Sequence, residues 1–145
     1  STVHAWDVSP EALEVARRNA IRNGVTVHFQ QVDALQESWP SLNIDVLVSN
    51  PPYITEKERT DMERNVLDWE PELALFVPDN DPLLFYRHIA RIGLDLLSPS
   101  GTLYYEINRA YGAETVSLLQ QLGYHSVELR KDLSGTARMV KAVKP

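Results

Sequence analysis

Cysteine is entirely missing from this chain of 145 residues. Its absence excludes a disulfide framework and thiolate catalysis, and it fits the reducing environment of the cytoplasm. Long hydrophobic runs are missing too: no segment approaches the roughly 18 apolar residues that a membrane-spanning helix needs. No charged-then-apolar signal segment opens the chain. We therefore expect a cytoplasmic location and no membrane partner.

Basic residues are scarce relative to acidic ones. Fourteen Lys and Arg stand against 20 Asp and Glu, so the formal net charge is −6. An acidic surface does not attract the phosphate backbone of nucleic acids, and we expect no direct nucleic-acid partner. The four histidines are scattered without the spacing of metal ligands, so we also expect no metal site.

The alternation of predicted strands and helices defines the fold class. The hydrophobic content of 43% is normal for a globular domain of this length. Segments follow the order β-α-β-β-loop-α-β-α-β-β, and the predicted strands cover residues 3–8, 25–32, 44–49, 102–107, 124–130 and 137–143. This order predicts an α/β fold, in which a mostly parallel sheet has helices on its faces and an antiparallel strand near one edge.

The predicted helices begin and end at recognisable signals. Ser9-Pro10-Glu11 predicts the start of the first helix through a capping hydroxyl, a proline at the first helical position and an acidic residue near the positive dipole end. Gly24 closes that helix. The apolar face of the helix is predicted to comprise Leu13, Ala16, Ala20 and Ile21. The later segments are a long loop with a short helix at 54–82, a helix that starts at Asp81-Pro82 and breaks at 98–101, and a helix at 113–122.

The most informative segment is Asn50-Pro51-Pro52-Tyr53, which directly follows the predicted buried strand 44–49. The proline pair fixes φ twice and removes two N–H donors, so the loop offers carbonyl oxygens with few competing donors. Asn50 precedes a proline and is pushed toward extended geometry at the carboxyl end of its strand, where open α/β sheets bind ligands. Three groups of this segment suit a planar amide or amino NH2 group: the Asn50 side-chain carbonyl, the Pro51 backbone carbonyl and the Tyr53 ring. The alternative is a proline-rich turn that merely ends the strand.

Two acidic residues follow neighbouring predicted strands. Asp7 suits the two hydroxyls of a ribose, or else it caps the helix entry or is simply solvated. Asp33 suits the amino group of an adenine, or else it is an ordinary turn aspartate. Because Asp7, Asp33 and Asn50 end successive parallel strands, we expect them at the same edge of the sheet.

Other polar groups have two open interpretations each. Glu106, at the end of a predicted strand, serves the rim of the site or caps the strand. Glu70-Pro71 with Ala74-Leu75 packs the long loop against the site or has a purely structural role. The serines lack a nucleophile-elbow setting, which disfavours a hydrolase triad.

These features occur in an order that resembles a known family. The residues that carry the resemblance are Asp7 to Leu13, Asp33, Val48 to Ile54, Glu70-Pro71 with Ala74-Leu75, Gly101 with Glu106-Ile107, and Asp132-Leu133 with Gly135 and Arg138. Over essentially the whole chain they resemble the catalytic domain of the S-adenosylmethionine-dependent glutamine-N5 methyltransferases that modify peptide chain release factors. The tetrapeptide alone is less specific, because adenine-N6 methyltransferases of nucleic acids carry closely similar versions.

The resemblance implies a Rossmann-like class I methyltransferase fold, with residues 1–145 as the catalytic domain, S-adenosylmethionine as cofactor and release factors as protein substrates. Under it, Asp7 holds the cofactor ribose, Asp33 with Ala34 flanks the adenine, and Asn50 borders the cofactor as well. The implied catalytic residues, which hold the target glutamine amide, are Asn50, Pro51, Pro52 and Tyr53. Three alternatives stay open: adenine-N6 methylation, methylation of a ribosomal-protein glutamine, and a non-catalytic methyltransferase-like domain that binds a protein partner.

The chain also departs from the family pattern. Ala34 is smaller than the side chain that many relatives carry there, residues 77–81 are poorer in glycine, and Asn108 stands where glycine is common. The first strand and the glycine-rich cofactor loop of the family are expected immediately before Ser1, and none of the six glycines forms such a cluster. We therefore expect these 145 residues alone to bind S-adenosylmethionine more weakly than micromolar. The sheet should close over the gap, be completed by another chain, for example by self-association, or leave unpaired edges.

Overall fold

The computed structural model describes residues 1–62 and 71–145, which fall into two compact units, residues 1–40 and 41–145. The first unit is a strand–helix–strand motif. Its strands β1 (His4–Asp7) and β2 (His28–Gln31) pair in parallel and are connected by α1 (Pro10–Arg22). No helix in the described ranges is long and apolar enough to cross a bilayer.

Helix α1 begins and ends at the predicted signals. The Ser9 hydroxyl oxygen accepts a hydrogen bond from the Ala12 N–H at 3.1 Å, and a proline occupies the first helical position. At the other end the Val25 N–H donates to the Ala20 carbonyl at 3.0 Å, and Gly24 has a φ of +63°. Val25 takes part in this left-handed end of the helix. Because of this, β2 starts at residue 28 and not at residue 25 as predicted.

The buried stripe of α1 is narrower than predicted. Leu13 and Ala20 are buried, but Ile21 is 79% exposed. Leu13 and Ala20 are seven residues apart, about two helical turns, so they lie on one line along the helix. Ile21 is turned by about 100° from Ala20, beyond the width that a two-stranded sheet covers. The prediction that Ile21 belongs to the buried face is therefore wrong.

The second unit contains the other described elements. In chain order they are β3 (Ile44–Ser49), β4 (Ile54–Thr55), a 3₁₀ turn (Glu56–Asp61), α2 (Glu72–Leu75), β5 (Phe76–Val77), α3 (Leu84–Leu96), β6 (Leu97–Glu106), a second 3₁₀ turn (Arg109–Tyr111), α4 (Gly112–Gln121), β7 (His125–Lys131) and β8 (Ala137–Val143). The main sheet has the order β3-β6-β8-β7, in which β3 and β6 are parallel and β8 is antiparallel to both its neighbours. The predicted mixed sheet with an antiparallel strand near one edge is confirmed for this unit.

Strand β6 starts five residues earlier than predicted. Leu97 already lies opposite Ile44, and regular pairing resumes at Thr102, so residues 98–101 form a bulge inside the strand. The Ser98 hydroxyl donates to the Ile44 carbonyl at 3.2 Å and ties this bulge to β3. The segment does end α3, as predicted, but it remains part of the sheet.

At position 101 the bulge has no room for a side chain, and the residue there is glycine. A Cβ at this position would lie 2.8 Å from the Ser98 carbonyl oxygen and 3.2 Å from that of Asp45. Both are backbone atoms in a paired region, so neither can move away at low cost. Only glycine fits here without distorting the strand.

The segment 54–82 has more regular structure than the long loop with a short helix that the sequence predicts. Strands β4 and β5 pair in parallel, and α2 is the short helix. Helix α3 begins at Leu84, not at Asp81-Pro82, because the Leu84 N–H donates to the Asp81 carbonyl at 3.2 Å and closes a separate turn. The Asp81 carboxylate binds the Arg87 guanidinium with two bonds of 2.9 and 3.0 Å, which fixes that turn against the helix.

Helices α3 and α4 pack on the main sheet and form the core of the second unit. The Tyr105 hydroxyl in this core donates to the Tyr86 carbonyl at 2.8 Å, so its polar end is satisfied. Burial raises the pKa of Tyr105 far above its ordinary value. The largest fully buried side chains are Tyr86, Leu97, Leu103, Tyr105, Ile107, Leu119 and Val140.

The opposite face of the main sheet is open in the described residues. Val46, Val48 and Tyr104 are 54%, 70% and 40% exposed. No residue of β3 is fully buried, so the prediction of a buried strand is wrong. In the sheets of the two units, β3 pairs with β6 alone and β1 with β2 alone. Both are therefore edge strands of their own sheets, and the expected unpaired edges are present within each unit.

Replacement of Leu103 by Ala should lower the free energy of unfolding by about 2–5 kcal/mol, because Leu103 is fully buried at the centre of β6. The matched control is Leu133→Ala, since Leu133 is fully exposed at the tip of the β7–β8 hairpin. This control should change the free energy by less than about 0.5 kcal/mol. Urea denaturation of both variants measures the difference, and equal effects would contradict the described core.

Candidate functional site

Asp7 and Asp33 lie at one edge of the sheet of the first unit. The Val32 N–H donates to the Asp7 carbonyl at 3.1 Å, so Asp33 follows immediately beyond the end of the paired strands. In each carboxylate one oxygen is engaged locally. Asp7 Oδ1 accepts from the Ser9 N–H and Asp33 Oδ1 from the Leu35 N–H, both at 2.8 Å. Asp33 thus forms the turn that the sequence left open as its alternative, and Asp7 forms a local turn directly before the cap of α1.

These turns engage only one oxygen of each carboxylate. The bond to Oδ1 orients each side chain, and within residues 1–40 no group hydrogen-bonds the Oδ2 atom of Asp7 or Asp33. Asp7 is exposed, whereas Asp33 and Ala34 are half-buried. An exposed carboxylate suits ribose hydroxyls, and a half-buried carboxylate next to a methyl group suits the edge and face of a purine.

The segment from Asn50 to Tyr53 continues directly from the carboxyl end of β3. Ser49 still pairs with Tyr105 of β6, so the loop leaves a firmly held strand end. Asn50 is exposed and Pro51 is buried. Within residues 1–62 and 71–145, no group hydrogen-bonds the Asn50 side chain or the Pro51 carbonyl. In that part of the chain neither oxygen has a protein donor.

A cleft of about 80 Å³ opens beside this loop. The loop forms one part of its lining and α2 the other, so Ala74 and Leu75 border the same cleft as the loop, whereas Pro71 does not line it. Glu70, which the sequence prediction also named, lies outside the described residues. The lining residues are Asn50, Pro51, Tyr53, Ile54, Ala74 and Leu75.

Glu106 and Arg138 hold the hydroxyl end of Tyr53. The Tyr53 hydroxyl donates to Glu106 Oε1 at 2.8 Å, and the Arg138 guanidinium lies close enough to interact with the same hydroxyl. Burial, reinforced by the hydrogen bond to the Glu106 carboxylate, raises the pKa of Tyr53. Tyr53 is therefore neutral at physiological pH. Of the two interpretations of Glu106, the structure supports the one in which it serves the rim of the site.

The β7–β8 hairpin supplies Arg138 in a fixed position. Asp132 Oδ1 accepts from the N–H groups of Ser134 and Thr136 at 2.9 and 3.0 Å and so builds the hairpin turn. Asp132 Oδ2 accepts from Arg138 Nε at 3.4 Å. The backbone bonds, with the arginine, hold the pKa of Asp132 below its usual range. The carboxyl-terminal residues that carry the family resemblance thus bring an arginine to Tyr53.

A second anchor holds the carbonyl end of Tyr53. Asn108 Nδ2 donates to the Tyr53 carbonyl at 3.1 Å and to Glu58 Oε2 at 3.0 Å. The same Glu58 oxygen accepts from the N–H and the hydroxyl of Thr55 at 2.8 and 2.7 Å. The sequence prediction missed Glu58 and treated Asn108 only as a departure from the family. The available signal was the T-x-x-E pattern from Thr55 to Glu58, which is typical of a capping box.

The predicted site residues therefore form two groups, each described within its own unit. Asp7, Asp33 and Ala34 lie beyond the carboxyl ends of β1 and β2 in the first unit. Asn50 to Tyr53 lies beyond the carboxyl end of β3 in the second. That the two groups share one edge remains a prediction.

The stability contributed by Glu58 should depend on pH. Burial disfavours the charged form of Glu58, but hydrogen bonds from Thr55 and Asn108 outweigh it and lower its pKa below the ordinary 4.5. A lowered pKa contributes stability that is fully present above 4.5 and is lost as the pH falls through the lower folded-state value. Glu58→Gln should therefore flatten the loss of unfolding free energy between about pH 5 and pH 3. Denaturation experiments across this pH range test the prediction. Equal slopes of unfolding free energy against pH for the wild-type protein and for Glu58→Gln would contradict the described hydrogen bonds of Glu58.

Sequence comparison links the whole chain to methyltransferases. The family described as methyltransferase small domain matches residues 1–68. A release factor glutamine methyltransferase from Bacteroides thetaiotaomicron is 50% identical over 141 residues, which is 97% of this chain and 51% of that protein. A second one, from Flavobacterium psychrophilum, is 45% identical, with 97% of this chain and 50% of that protein covered. The chain thus spans about half the length of these curated relatives.

Structural comparison agrees on the fold. A methyltransferase from Pyrococcus furiosus matches with a TM-score of 0.68 at 22% identity, covering 99% of this chain and 62% of that one. An S-adenosylmethionine-dependent O-methyltransferase from Thermotoga maritima matches with a TM-score of 0.67 at 16% identity, covering 99% and 50%. The chain therefore has the class I S-adenosylmethionine-dependent methyltransferase fold and is homologous, over nearly all of its length, to about half of a release factor glutamine methyltransferase.

Proposed function

We propose that the protein carrying this chain transfers a methyl group from S-adenosylmethionine to the side-chain amide nitrogen of a glutamine in a peptide chain release factor. The observation that carries the proposal is the exposed Asn50 amide at the end of β3, followed by two prolines and a fixed Tyr53. The names of the relatives at 50% and 45% identity support the same acceptor.

The first unit has residues suited to the cofactor. In this proposal the exposed Asp7 carboxylate binds the ribose hydroxyls, and Asp33 accepts from the adenine amino group while Ala34 packs on the ring. Their free Oδ2 atoms and their position beyond parallel strands fit this role. When bound, S-adenosylmethionine supplies an electrophilic methyl group on a positively charged sulfur. The residues of this chain do not need to supply a nucleophile.

The second unit has residues suited to the acceptor. A glutamine amide nitrogen is a poor nucleophile because its lone pair is delocalised into the carbonyl. In the proposed mechanism the Asn50 side-chain oxygen and the Pro51 carbonyl accept its two N–H groups and direct the lone pair toward the methyl group. The Tyr53 ring packs against the amide plane and excludes water. Catalysis then depends mainly on positioning and electrostatics.

No strong general base is required in this mechanism. The raised pKa of Tyr53 keeps its hydroxyl protonated, so Tyr53 orients the acceptor and does not remove a proton. As the new bond between nitrogen and the methyl carbon forms, the bond from that carbon to sulfur would break, and its electron pair would stay on the neutral thioether that leaves. The methylated amide nitrogen is positively charged and strongly acidic, and it would lose its proton to water as the product leaves. The carbonyl oxygens of Asn50 and Pro51 stabilise its N–H groups until then.

The proposal includes the wider setting of the reaction. Both units belong to one catalytic domain, the protein acts in the cytoplasm, and it contacts neither nucleic acid nor membrane directly. The net charge of −6 supports the exclusion of nucleic acid. Self-association would use the edges of β1 and β3 that have no partner strand among the described residues.

A second candidate function is adenine-N6 methylation, because an adenine amino group would fit the same pair of acceptor oxygens. Methylation of a ribosomal-protein glutamine and a non-catalytic protein-binding role compete with it. Incubation of the purified protein with labelled S-adenosylmethionine and, in parallel, release factor, ribosomal proteins, DNA and RNA separates these functions. The proposal expects label in release factor alone, on one glutamine.

Asn50→Ala should lower turnover about 100-fold or more while leaving the fold intact, because it removes one of the two acceptors for the amide. The matched control is Asn43→Ala, which changes an exposed asparagine in the loop before β3. It should keep wild-type turnover. Methyl incorporation into release factor at saturating cofactor measures the turnover of both variants. Wild-type turnover of Asn50→Ala would refute the proposed role of Asn50 as an acceptor for the amide.

A further inference from the structure

The loop from Asn50 to Tyr53 cannot fix its own direction. Pro51 and Pro52 have no N–H groups, so neither can anchor the loop by donating a hydrogen bond. Their φ angles are set by their rings, and the remaining freedom lies in ψ and at the two junctions. β3 holds the upstream junction. The direction of the Asn50 and Pro51 oxygens therefore depends on what holds the downstream junction, at Tyr53.

Asn108 holds this junction from inside the protein. It is only 5% exposed, and all of its side-chain polar atoms are engaged. Its Oδ1 accepts from the Ala110 N–H at 3.0 Å, and its Nδ2 donates to Tyr53 and Glu58. Its backbone N–H donates to the Tyr86 hydroxyl at 3.0 Å. A buried amide with these partners has one favourable orientation.

Glu58 determines which end of the Asn108 amide faces Tyr53. An ionised carboxylate only accepts hydrogen bonds, so it selects the NH2 group of Asn108, which lies 3.0 and 3.2 Å from its two oxygens. The Thr55 N–H and hydroxyl fix Glu58 in turn, only two residues beyond Tyr53. The NH2 group is thereby directed at the Tyr53 carbonyl, and the bonds to a charged acceptor are stronger than neutral ones.

We propose that Asn108 and Glu58 are positioning residues for methyl transfer, which fix the Tyr53 carbonyl and so aim the Asn50 and Pro51 oxygens at the acceptor amide. The identity of the acceptor that the loop binds rests on the proposed function. The hydrogen bonds that hold the loop do not depend on that function. A displacement of about 1 Å at a reacting group can cost about 100-fold in rate. Loss of this anchor should therefore reduce turnover more than it reduces stability.

Three variants separate positioning from general stability. Asn108→Asp keeps the oxygen that caps the Ala110 N–H, but it removes the NH2 group and places a carboxylate against Glu58. Glu58→Gln keeps an acceptor for Thr55 and loses the charge. The double variant E58Q/N108D restores a donor–acceptor pair between these two positions, because the glutamine can donate to the aspartate. It still leaves the Tyr53 carbonyl without its donor.

Thr115→Val is the matched control for a lost internal hydrogen bond. The Thr115 side chain is buried in α4, and its hydroxyl donates to the Tyr111 carbonyl at 2.7 Å. It has no contact with the acceptor loop among the hydrogen bonds of the described residues. This variant should lose stability in the same way as a structural mutant and keep its turnover within about twofold.

The kinetic test uses the complete natural polypeptide with release factor as substrate. Asn108→Asp should lower kcat about 10–100-fold and leave the affinity for S-adenosylmethionine within about twofold. The double variant should regain stability lost in Asn108→Asp without regaining kcat. The proposal is overturned if Asn108→Asp keeps wild-type kcat, if Thr115→Val loses as much kcat, or if the double variant recovers turnover.

A structural measurement keeps this test independent of the substrate. The backbone N–H resonances of Asn50 and Tyr53 should be sharp and dispersed in the wild-type protein and in Thr115→Val. They should broaden or collapse in Asn108→Asp and in the double variant. If the wild-type protein methylates no release factor, the proposed function fails and this measurement still decides the anchor. Unchanged Asn50 resonances in Asn108→Asp would overturn it.

Discussion

Two consecutive prolines deprive the loop from Asn50 to Tyr53 of backbone donors with which to hold itself, and in residues 1–62 and 71–145 no donor pairs with the Asn50 side-chain oxygen or the Pro51 carbonyl. The rest of the second unit compensates for this constraint. β3 holds the start of the loop, and Tyr53 is held at both ends, by Asn108 at its carbonyl and by Glu106 at its hydroxyl. The 3₁₀ turn, the end of β6 and the β7–β8 hairpin all supply a partner for this one tyrosine or for a residue that binds it. A flexible acceptor loop would otherwise sample many directions, and its oxygens would offer little preorganisation.

The charges around Tyr53 favour orientation over proton transfer. Burial and Glu106 keep the phenol neutral, and Glu58 is kept ionised by its donors. Both Glu58 oxygens accept hydrogen bonds from the protein, and Glu106 Oε1 accepts one from the Tyr53 hydroxyl. This agrees with an alkylation in which the acceptor nitrogen loses its proton after the new bond has formed. In the first unit, Asp7 and Asp33 each use one oxygen for a local turn.

Local signals predicted much of this fold, and long-range contacts account for what was missed. The start of α1 at Ser9-Pro10, its end at Gly24 and the strands 44–49 and 137–143 agree with the sequence prediction, because each depends on residues that are close in the chain. The early start of β6 depends on the hydroxyl of Ser98 reaching a strand about 50 residues upstream, which no local pattern indicates. The Asn108–Glu58 pair was missed for the same reason, although the T-x-x-E pattern marked half of it. Asn50 and Tyr53 line a cleft beyond a strand end, a position that the local sequence indicates, whereas the anchors that aim them belong to tertiary structure.

The most direct test of this account is a crystal structure of the complete natural polypeptide with a glutamine-containing release factor peptide bound. The account predicts that the glutamine amide nitrogen lies about 2.9 Å from both the Asn50 side-chain oxygen and the Pro51 carbonyl, with the Tyr53 ring against the amide plane. An amide bound elsewhere, or an Asn50 side chain turned away from it, would contradict the central claim.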